Sequence, residues 1–541
     1  MSVNVAKRKL ISIAIVICLL LTVVAGCTTN QGTTKSTTGG TTASATTTSS
    51  EPVKLTFWTP LGDKASQVVK NNGEIAAMMA ISEKTGIEIE FQHPAIGQEG
   101  EQFNLMIASR KLPDMVFHNS ASIIENKDMF LPLSDKLEQN APNYYSTIQD
   151  GTIMKALVAS DGEIYTLSHL RLDPSVRVWM GPLIRGDWLE AIDKPLPETI
   201  DDWYEILTLF KANDMNGNGD PNDEIPFISR PSGGYSFFNF SNAWGLVIDT
   251  FYQINNVVHY SPYQPEYQDF ITEMRKWYDE GLLDNDFAAT DGDSFKAKAT
   301  GSIGGAFYGS LVGVMGAYNQ LLKDVNPNYH LVGAPYTKDN NDGIAYNPWA
   351  DHAYIVQPSG TAINKTSENW QACLKYLDYG FSDEGHMIMN FGIEGVSYMM
   401  KDGYPTFTEE LTKNPDGLTF AEALAKYAMT ANCAASFAQD PRQFAQYSMG
   451  TEEQRAANAQ WTQANLAKVM PQLKLTVEEQ TEFNEIMTDL KTYVSEMSTK
   501  FIMGLIPLSD FQGYYDNLKK MGIERAIEIQ QEALDRYNSI G

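Results

Sequence analysis

The sequence has 541 residues, 67 of them acidic and 40 basic, for a net charge of −27. So acidic a chain, with no basic cluster, repels polyphosphate, which argues against nucleic acid as a partner. The length exceeds what one hydrophobic core can organise and suits two or three domains.

Lys7, Arg8 and Lys9 precede an uncharged apolar run, Leu10 to Val24, which is too short for a membrane span and is built like a secretory signal peptide. The run closes on Val24-Ala25-Gly26-Cys27. This ending resembles the lipobox of bacterial lipoproteins. The resemblance implies cleavage after residue 26 and lipidation of Cys27 with diacylglycerol and palmitate. Losing the three basic residues with the leader takes the charge from −27 to −30. Residues 28–50 are almost entirely Thr, Ser, Gly and Ala, a flexible tether with no apolar face to bury. The alternative is an uncleaved anchor helix on the same linker; in both cases the folded body lies outside the cytoplasmic membrane.

That body opens with Val53 to Trp58, alternating like a strand. A helix-like segment, Glu74 to Thr85, breaks at Gly86, and Ile87 to Phe91 alternates again. A helix around Glu101 to Ser109 leads to a buried-strand candidate, Asp114 to Phe117. Strand and helix in alternation predict an open α/β sheet of parallel strands with helical crossovers. Asp161 to Leu167 reads as a turn feeding a strand. Thr199, three residues before Asp202, marks a capped helix start. A Gly-rich stretch covers Gly301 to Gly316, a strand is expected at Ala353 to Gln357, and a helix at Ser367 to Phe381. Beyond about residue 407 the pattern is mostly helical. Cys373 and Cys433 both fall in helix-like sequence, where a buried free thiol is preferred over a disulfide.

Several segments together resemble the large extracellular solute-binding lipoproteins of ABC transporters, in the branch of the alginate-oligosaccharide binders. They are Phe103 to Ser109 with Leu112-Pro113-Asp114-Met115-Val116, Asp161 to Tyr165, Ile184 to Leu189, Thr199 to Tyr204, Asp214 to Pro226, Phe391 to Tyr398 and Gln530 to Asn538. The resemblance implies a two-lobed, periplasmic-binding-protein-like (type II) α/β fold with hinge strands and a helical C-terminal part. Lobe one would comprise 51–168 plus 352–405, and lobe two 169–351 plus 406–541. It also implies capture of an oligosaccharide between the lobes, delivery to ABC permease subunits, a monomer, and a place on the outer face of the membrane, as on a Gram-positive cell surface.

Asp214, Asn216, Asn218 and Asp220 alternate with Gly217 and Gly219 in a row of oxygen donors that begins like an EF-hand loop. Such a set suits Ca2+ in a structural role. The pattern departs at its end, where Glu224 is the eleventh position and not the twelfth. The related binders carry a similar shortened loop ending in Asp-Glu, here Asp223-Glu224. The expected ligands are Asp214, Asn216, Asn218, Asp223 and Glu224, with the carbonyl of Asp220; one extra residue ahead of Asp223-Glu224 leaves the choice among Asp220, Asn222 and Asp223 open, and a metal-free polar turn is the alternative.

A sugar cleft needs aromatic platforms interleaved with polar side chains. Carboxyl ends of strands favour Trp58 and the segment containing Trp349 and Asp351. Trp179, Trp244, Arg185, Glu394 and Tyr398 complete the candidates. For each tryptophan, packing within a lobe competes with ligand stacking, and for Arg185 a salt bridge to Asp187 or Glu190 is the simpler role. The chain lacks HExxH, GxSxG and P-loop motifs, and its seven histidines lack metal-ligand spacing. The reading is therefore a binding protein and no enzyme. Its rivals are a tethered glycoside hydrolase and a surface scaffold or adhesion lipoprotein.

Overall fold

The computed structural model describes residues 52–248, 250–429 and 435–540. The leader, Cys27 and the tether lie outside the described residues, as do Cys433 and the side chain of Asp351. Cys373 is a buried free thiol.

In chain order the strands are β1 (Val53–Trp58), β2 (Ile87–Gln92), β3 (Met115–Asn119), β4 (Leu167–Leu170), β5 (Met180–Arg185), β6 (Ile225–Phe227), β7 (Phe251–Ile254), β8 (Val257–Tyr260), β9 (Gly304–Ser310), β10 (Leu331–Gly333), β11 (Val356–Ile363), β12 (Tyr398–Lys401) and β13 (Tyr404–Phe407). β1, β2 and β3 form where the alternation places them and pair in parallel, Leu55 beside Ile89 and Phe57 beside Met115. Helices Ala76–Thr85 and Glu99–Ser109 make the crossovers. Gly86 ends the first helix at φ 70°, a left-handed cap that turns the chain directly into β2. Leu55, Phe57, Ile87 and Phe91 bury one face against that helix and against helix Trp370–Tyr379. Thr56 and Trp58 take the other face, as alternation requires.

β11 enters antiparallel between β3 and β4, giving the order β2-β1-β3-β11-β4. The sheet is therefore mixed, because a strand from nearly two hundred residues further on fills a central place that local pattern does not reveal. A second sheet runs β10-β5-β9-β6, with β5 antiparallel to both neighbours and β6 parallel to β9. The Gly-rich stretch supplies β9, buried along its whole length. A Cβ at Gly305 would lie 2.6 Å from the Phe210 ring and 2.8 Å from Trp188, so glycine lets both rings rest on the strand.

The two sheets organise separate cores. The first draws on residues 55–170 and 356–438, including Ala425, Met429 and Phe437. The second draws on residues 176–336 and 444–534. Helices Val477–Ile502, Phe511–Lys520 and Ile523–Ser539 pack on the second. Thr476 and Glu479 form a capping box at the start of the long helix. Glu479 also holds Arg536 of the last helix through two bonds, at 2.7 and 2.5 Å.

Arg185, 1% exposed, ends β5 inside this core. Its guanidinium lies over Trp188 and Tyr329, 4.7 and 4.4 Å from the ring centres, and donates to both oxygens of Asp187, at 2.7 and 2.5 Å. Removing one partner of a buried pair strands the other charge, whereas replacing both partners with apolar residues strands neither. Asp187→Ala should therefore cost about 3–5 kcal/mol in chemical denaturation. The double variant Arg185→Met with Asp187→Ala should cost clearly less.

Candidate functional site

Three stretches carry the chain between the cores, at about 171–179, 349–355 and 438–443. They lie side by side: the Leu170 N–H donates to the Phe437 carbonyl at 2.9 Å, that of Arg171 to Ile355 at 2.8 Å, and that of Gln439 to Leu170 at 2.9 Å. β1, β3 and β4 all run towards this end of the first sheet, since β3 and β4 are both antiparallel to β11. In the second sheet β9 ends here too, where the Leu311 N–H reaches the Trp179 carbonyl at 2.9 Å. Open α/β sheets hold ligands at strand carboxyl ends. The crossings meet that condition for both sheets at once.

The side chains on the crossings are polar, buried and short of partners. Gln439 and Gln443 are 3% and 1% exposed, and neither end of either amide finds a hydrogen-bond partner among the described residues. His352 Nδ1 lies 3.4 Å from both the Tyr336 hydroxyl and the Asn347 amide, while its Nε2 is unpartnered. His169, stacked on Phe437 with 4.4 Å between centroids, has an unpartnered Nε2 as well. Burial, with the charge of Arg171 adding to it, pushes both histidines down to about 3, so both are neutral at physiological pH. Arg177 donates to the Ala353 carbonyl at 3.2 Å and leaves Nε buried and unpartnered, as does Trp349 its Nε1. Trp179 and Trp349 flank His352, with ring centroids at 5.8 and 6.2 Å. Gly234 completes this corner, for a Cβ there would come within 3.2 Å of the Trp349 ring. Buried polar groups without partners cost about 1–3 kcal/mol each, so water or a ligand is expected to complete those on the crossings.

Asp440 is the exception. Its carboxylate receives Arg442 through Nε and Nη2, at 3.0 and 2.6 Å, and His386 Nε2 lies 3.0 Å away. Burial alone would raise this carboxyl, but the bonds from His386 and Arg442 outweigh it and hold the group far below the usual carboxylate range.

The oxygen-rich loop closes on itself. Asp214 accepts from the N–H groups of Asn218 and Gly219, at 3.1 and 2.8 Å, and Asp223 from the side-chain amides of Asn216 and Asn218, at 3.0 and 2.6 Å. Gly217 and Gly219 take φ of 71° and 90°, the left-handed turns expected of them. Glu224 is 3% exposed, and its Oε1 accepts from the Met215 N–H at 2.8 Å while Oε2 is buried without a partner. Asp220 is exposed and caps Asn222. Among the described residues no three His, Cys, Asp or Glu side chains converge as a metal cluster. The donor set here is instead a mixture of amide, carbonyl and carboxylate oxygens.

The family model for bacterial extracellular solute-binding proteins matches residues 70–387, more than half of the chain. The chain belongs to that family. It is 26% identical to the lipoprotein LipO of Bacillus subtilis (strain 168) over 364 residues, 65% of this chain and 70% of LipO. Its fold matches the alginate-binding protein AlgQ2, in a structure without calcium ion, with a TM-score of 0.67 and 24% identity over 91% of this chain and all of AlgQ2. It also matches the Streptococcus pneumoniae ABC-transporter substrate-binding protein FusA, with kestose at TM-score 0.70 and 19% identity, and as an EF-hand mutant with fructo-nystose at 0.68 and 18%; each match covers 90% of this chain and all of FusA. These neighbours establish the two-lobed α/β architecture. Among the described residues no helix is long and apolar enough to cross a membrane.

In this solute-binding protein the crossings bring together Trp179, Trp349 and the backbone of residue 351. The other sequence candidates lie elsewhere. Trp58 is 7% exposed, packed among Phe103 and His118, and borders a cavity of about 570 Å³ with Gln92, Gln102 and Met106. Trp244 lies edge-on to Phe270 in the second core, and Arg185 is held by Asp187. Tyr398 packs on Phe391 and Phe407 in a satellite cluster, and Glu394 is exposed at the turn before it. His169, Arg177, His352, Gln439 and Gln443 escape the sequence reading. The only trace of them is polar residues at alternate places in Leu167-Ser168-His169-Leu170-Arg171, and Gln439-Asp440-Pro441-Arg442-Gln443 reads as an exposed helix start.

Because the Asp440 pKa is depressed in the folded state, its contribution is fully present above the unfolded value of about 3.9 and is lost as pH falls below it. Asp440→Asn should cost about 1–3 kcal/mol at pH 7, and should flatten the acid limb of stability below about pH 4 in denaturant titrations.

Proposed function

We propose that the protein is the extracytoplasmic binding component of an ABC importer. It captures an oligosaccharide between its lobes and passes it unchanged to permease subunits. The observation that carries this reading is the set of buried, unpartnered polar side chains on the three crossings, with Trp179 and Trp349 flanking His352 among them. Sugars offer hydroxyls in plane and apolar ring faces, which is the complement of that lining. The substrates in the names of FusA and AlgQ2 support it. The lobes are 52–170 with 355–438, and 176–340 with 444–540. Residues 406–438 join the first lobe because Ala425, Met429 and Phe437 pack in its core. Cys27 anchors the protein by lipid to the outer face of the membrane, residues 28–50 tether it, and it acts as a monomer.

A hydrolase would need two carboxylates facing one another across the cleft. On the crossings Asp440 is bound by Arg442 and His386, and Asp173 accepts from the Ser175 N–H and hydroxyl at 2.8 and 2.6 Å. Among the described side chains of the crossings neither carboxylate is placed to give or take a proton, which favours the binding reading.

The loop from Asp214 to Glu224 holds Ca2+ in this reading, through Asp214, Asn216, Asn218, Asp223, Glu224 and the Asp220 carbonyl. The unpartnered, buried Oε2 of Glu224 and the two glycine turns fit a hard cation. The calcium would hold helix Ile200–Ala212 to β6, the elements that the loop joins.

Melting the protein against a panel of mono- and oligosaccharides tests the function. At a hundredfold over its dissociation constant a ligand should add about 2.7 kcal/mol. The bound sugar should be recovered uncut. Cleavage would identify a hydrolase, and no shift with any sugar would favour a scaffold. For the loop, a calcium chelator should lower the melting temperature of the wild type and leave that of Glu224→Gln unchanged. Equal chelator effects on the two would count against calcium there.

A further inference from the structure

The two lobes also meet away from the polar side chains of the crossings. A cavity of about 180 Å³ lies between helix Gly151–Leu157 of the first lobe and residues 466–472 of the second, with residues 353–355 of a crossing as its third wall. It shares the stretch 349–355 with the proposed sugar site, yet none of that site's side chains lines it. Thr152 and Ala156 line it from the first lobe, and Met470, Gln472 and Tyr537 from the second. Ile153 and Leu157 of the helix are fixed in the first core, and Met470 in the second. Each wall therefore moves with its own lobe.

Tyr537, on the last helix, reaches across. The Lys155 Nζ lies 5.8 Å from the centre of its ring. Burial, with the charge of Asp150 adding to it, raises the Tyr537 hydroxyl above the ordinary tyrosine value. Lys155 lies within helix Gly151–Leu157 and Asp150 caps it, so both partners belong to the first lobe. The lobes thus touch here through side chains and not through a crossing. A cation over an aromatic ring is a weak contact, able to form and break as the lobes move.

Rotation of the lobes about the crossings brings helix Gly151–Leu157 and residues 466–472 together or apart, and the cavity narrows or widens with them. Its walls are largely apolar, so their approach or separation changes the free energy of each arrangement. The apparent affinity for a ligand held between lobes is scaled by the fraction of free protein that is competent to bind. A side chain in the cavity therefore acts on affinity from outside the ligand's reach.

We infer that this cavity and the Tyr537 contact set the resting separation of the lobes, and through it the affinity for the ligand; the second half rests on the solute-binding reading above. Tyr537 is a positioning residue in this account and touches no ligand.

Energy transfer between fluorophores carried on non-natural residues at Glu83 and Lys491, exposed helix positions on the first and second lobes, measures the separation in the ligand-free full chain. Thr152→Trp and Gln472→Trp, which add bulk from the walls of the two lobes, should move it in one direction. Tyr537→Ala, which enlarges the cavity, should move it in the other. Circular dichroism checks that each variant is folded. For a sugar of the melting panel that binds, calorimetry should show the affinity changed about threefold or more, with the two bulky variants on one side of the wild type and Tyr537→Ala on the other. Folded variants whose separation is that of the wild type overturn the inference and leave the solute-binding reading intact. Bulky variants that move in opposite directions do the same, as does a changed separation with unchanged affinity. If no sugar binds the wild type, the solute-binding reading falls and the claim on affinity with it, while the separation still decides what the cavity does.

Discussion

A chain that crosses three times between two cores must satisfy its backbone at the crossings, and here the three strands do so with one another. The bonds among Leu170, Arg171, Ile355, Phe437 and Gln439 take up the backbone where the strands meet. Neither core covers them with its own polar groups. Gln439, Gln443, His169, His352 and Arg177 are consequently enclosed yet unsatisfied, an arrangement that a folded chain tolerates where a ligand completes it. The proposed binding site is thus a consequence of the connection between the lobes.

The lobes themselves are held by their own packing. Rings packed on a glycine strand at β9, and Arg185 between Trp188 and Tyr329 with Asp187 as its counterion, make the second core rigid. Two separate cores joined by three crossing stretches have the connectivity that hinge closure requires. A ligand bridging the crossings and both sheet ends favours the closed arrangement by as much as it binds that state more tightly.

The first lobe was legible in the sequence to within a few residues, because β1, β2 and β3 and their two helices are local, periodic and punctuated by Gly86. The capping box at Thr199 was legible for the same reason. β11 was read three residues early at its start and six residues short at its end, and its central, antiparallel place in the sheet was not legible, since pairing across nearly two hundred residues leaves no local trace. Of the candidate cleft residues, Trp179 and Trp349 reach the crossings, while Trp244 and Arg185 serve the core. Aromatic and cationic side chains carry the same letters in both roles. The buried glutamines were hidden for the opposite reason: Gln439 and Gln443 sit among Asp440, Pro441 and Arg442, a composition typical of surface. Only the fold turns that segment inward.

Neither core is continuous in the chain. The first waits for residues up to Phe437, and the second for the last helix, clasped to Glu479 through Arg536. As the N-terminus emerges, the opening strands have no complete sheet to join, and the long loops between their partners slow closure. Neither core can be completed until most of the polypeptide is available. With the leader expected from the sequence, late closure would keep the chain threadable through an export channel until it reached the far side.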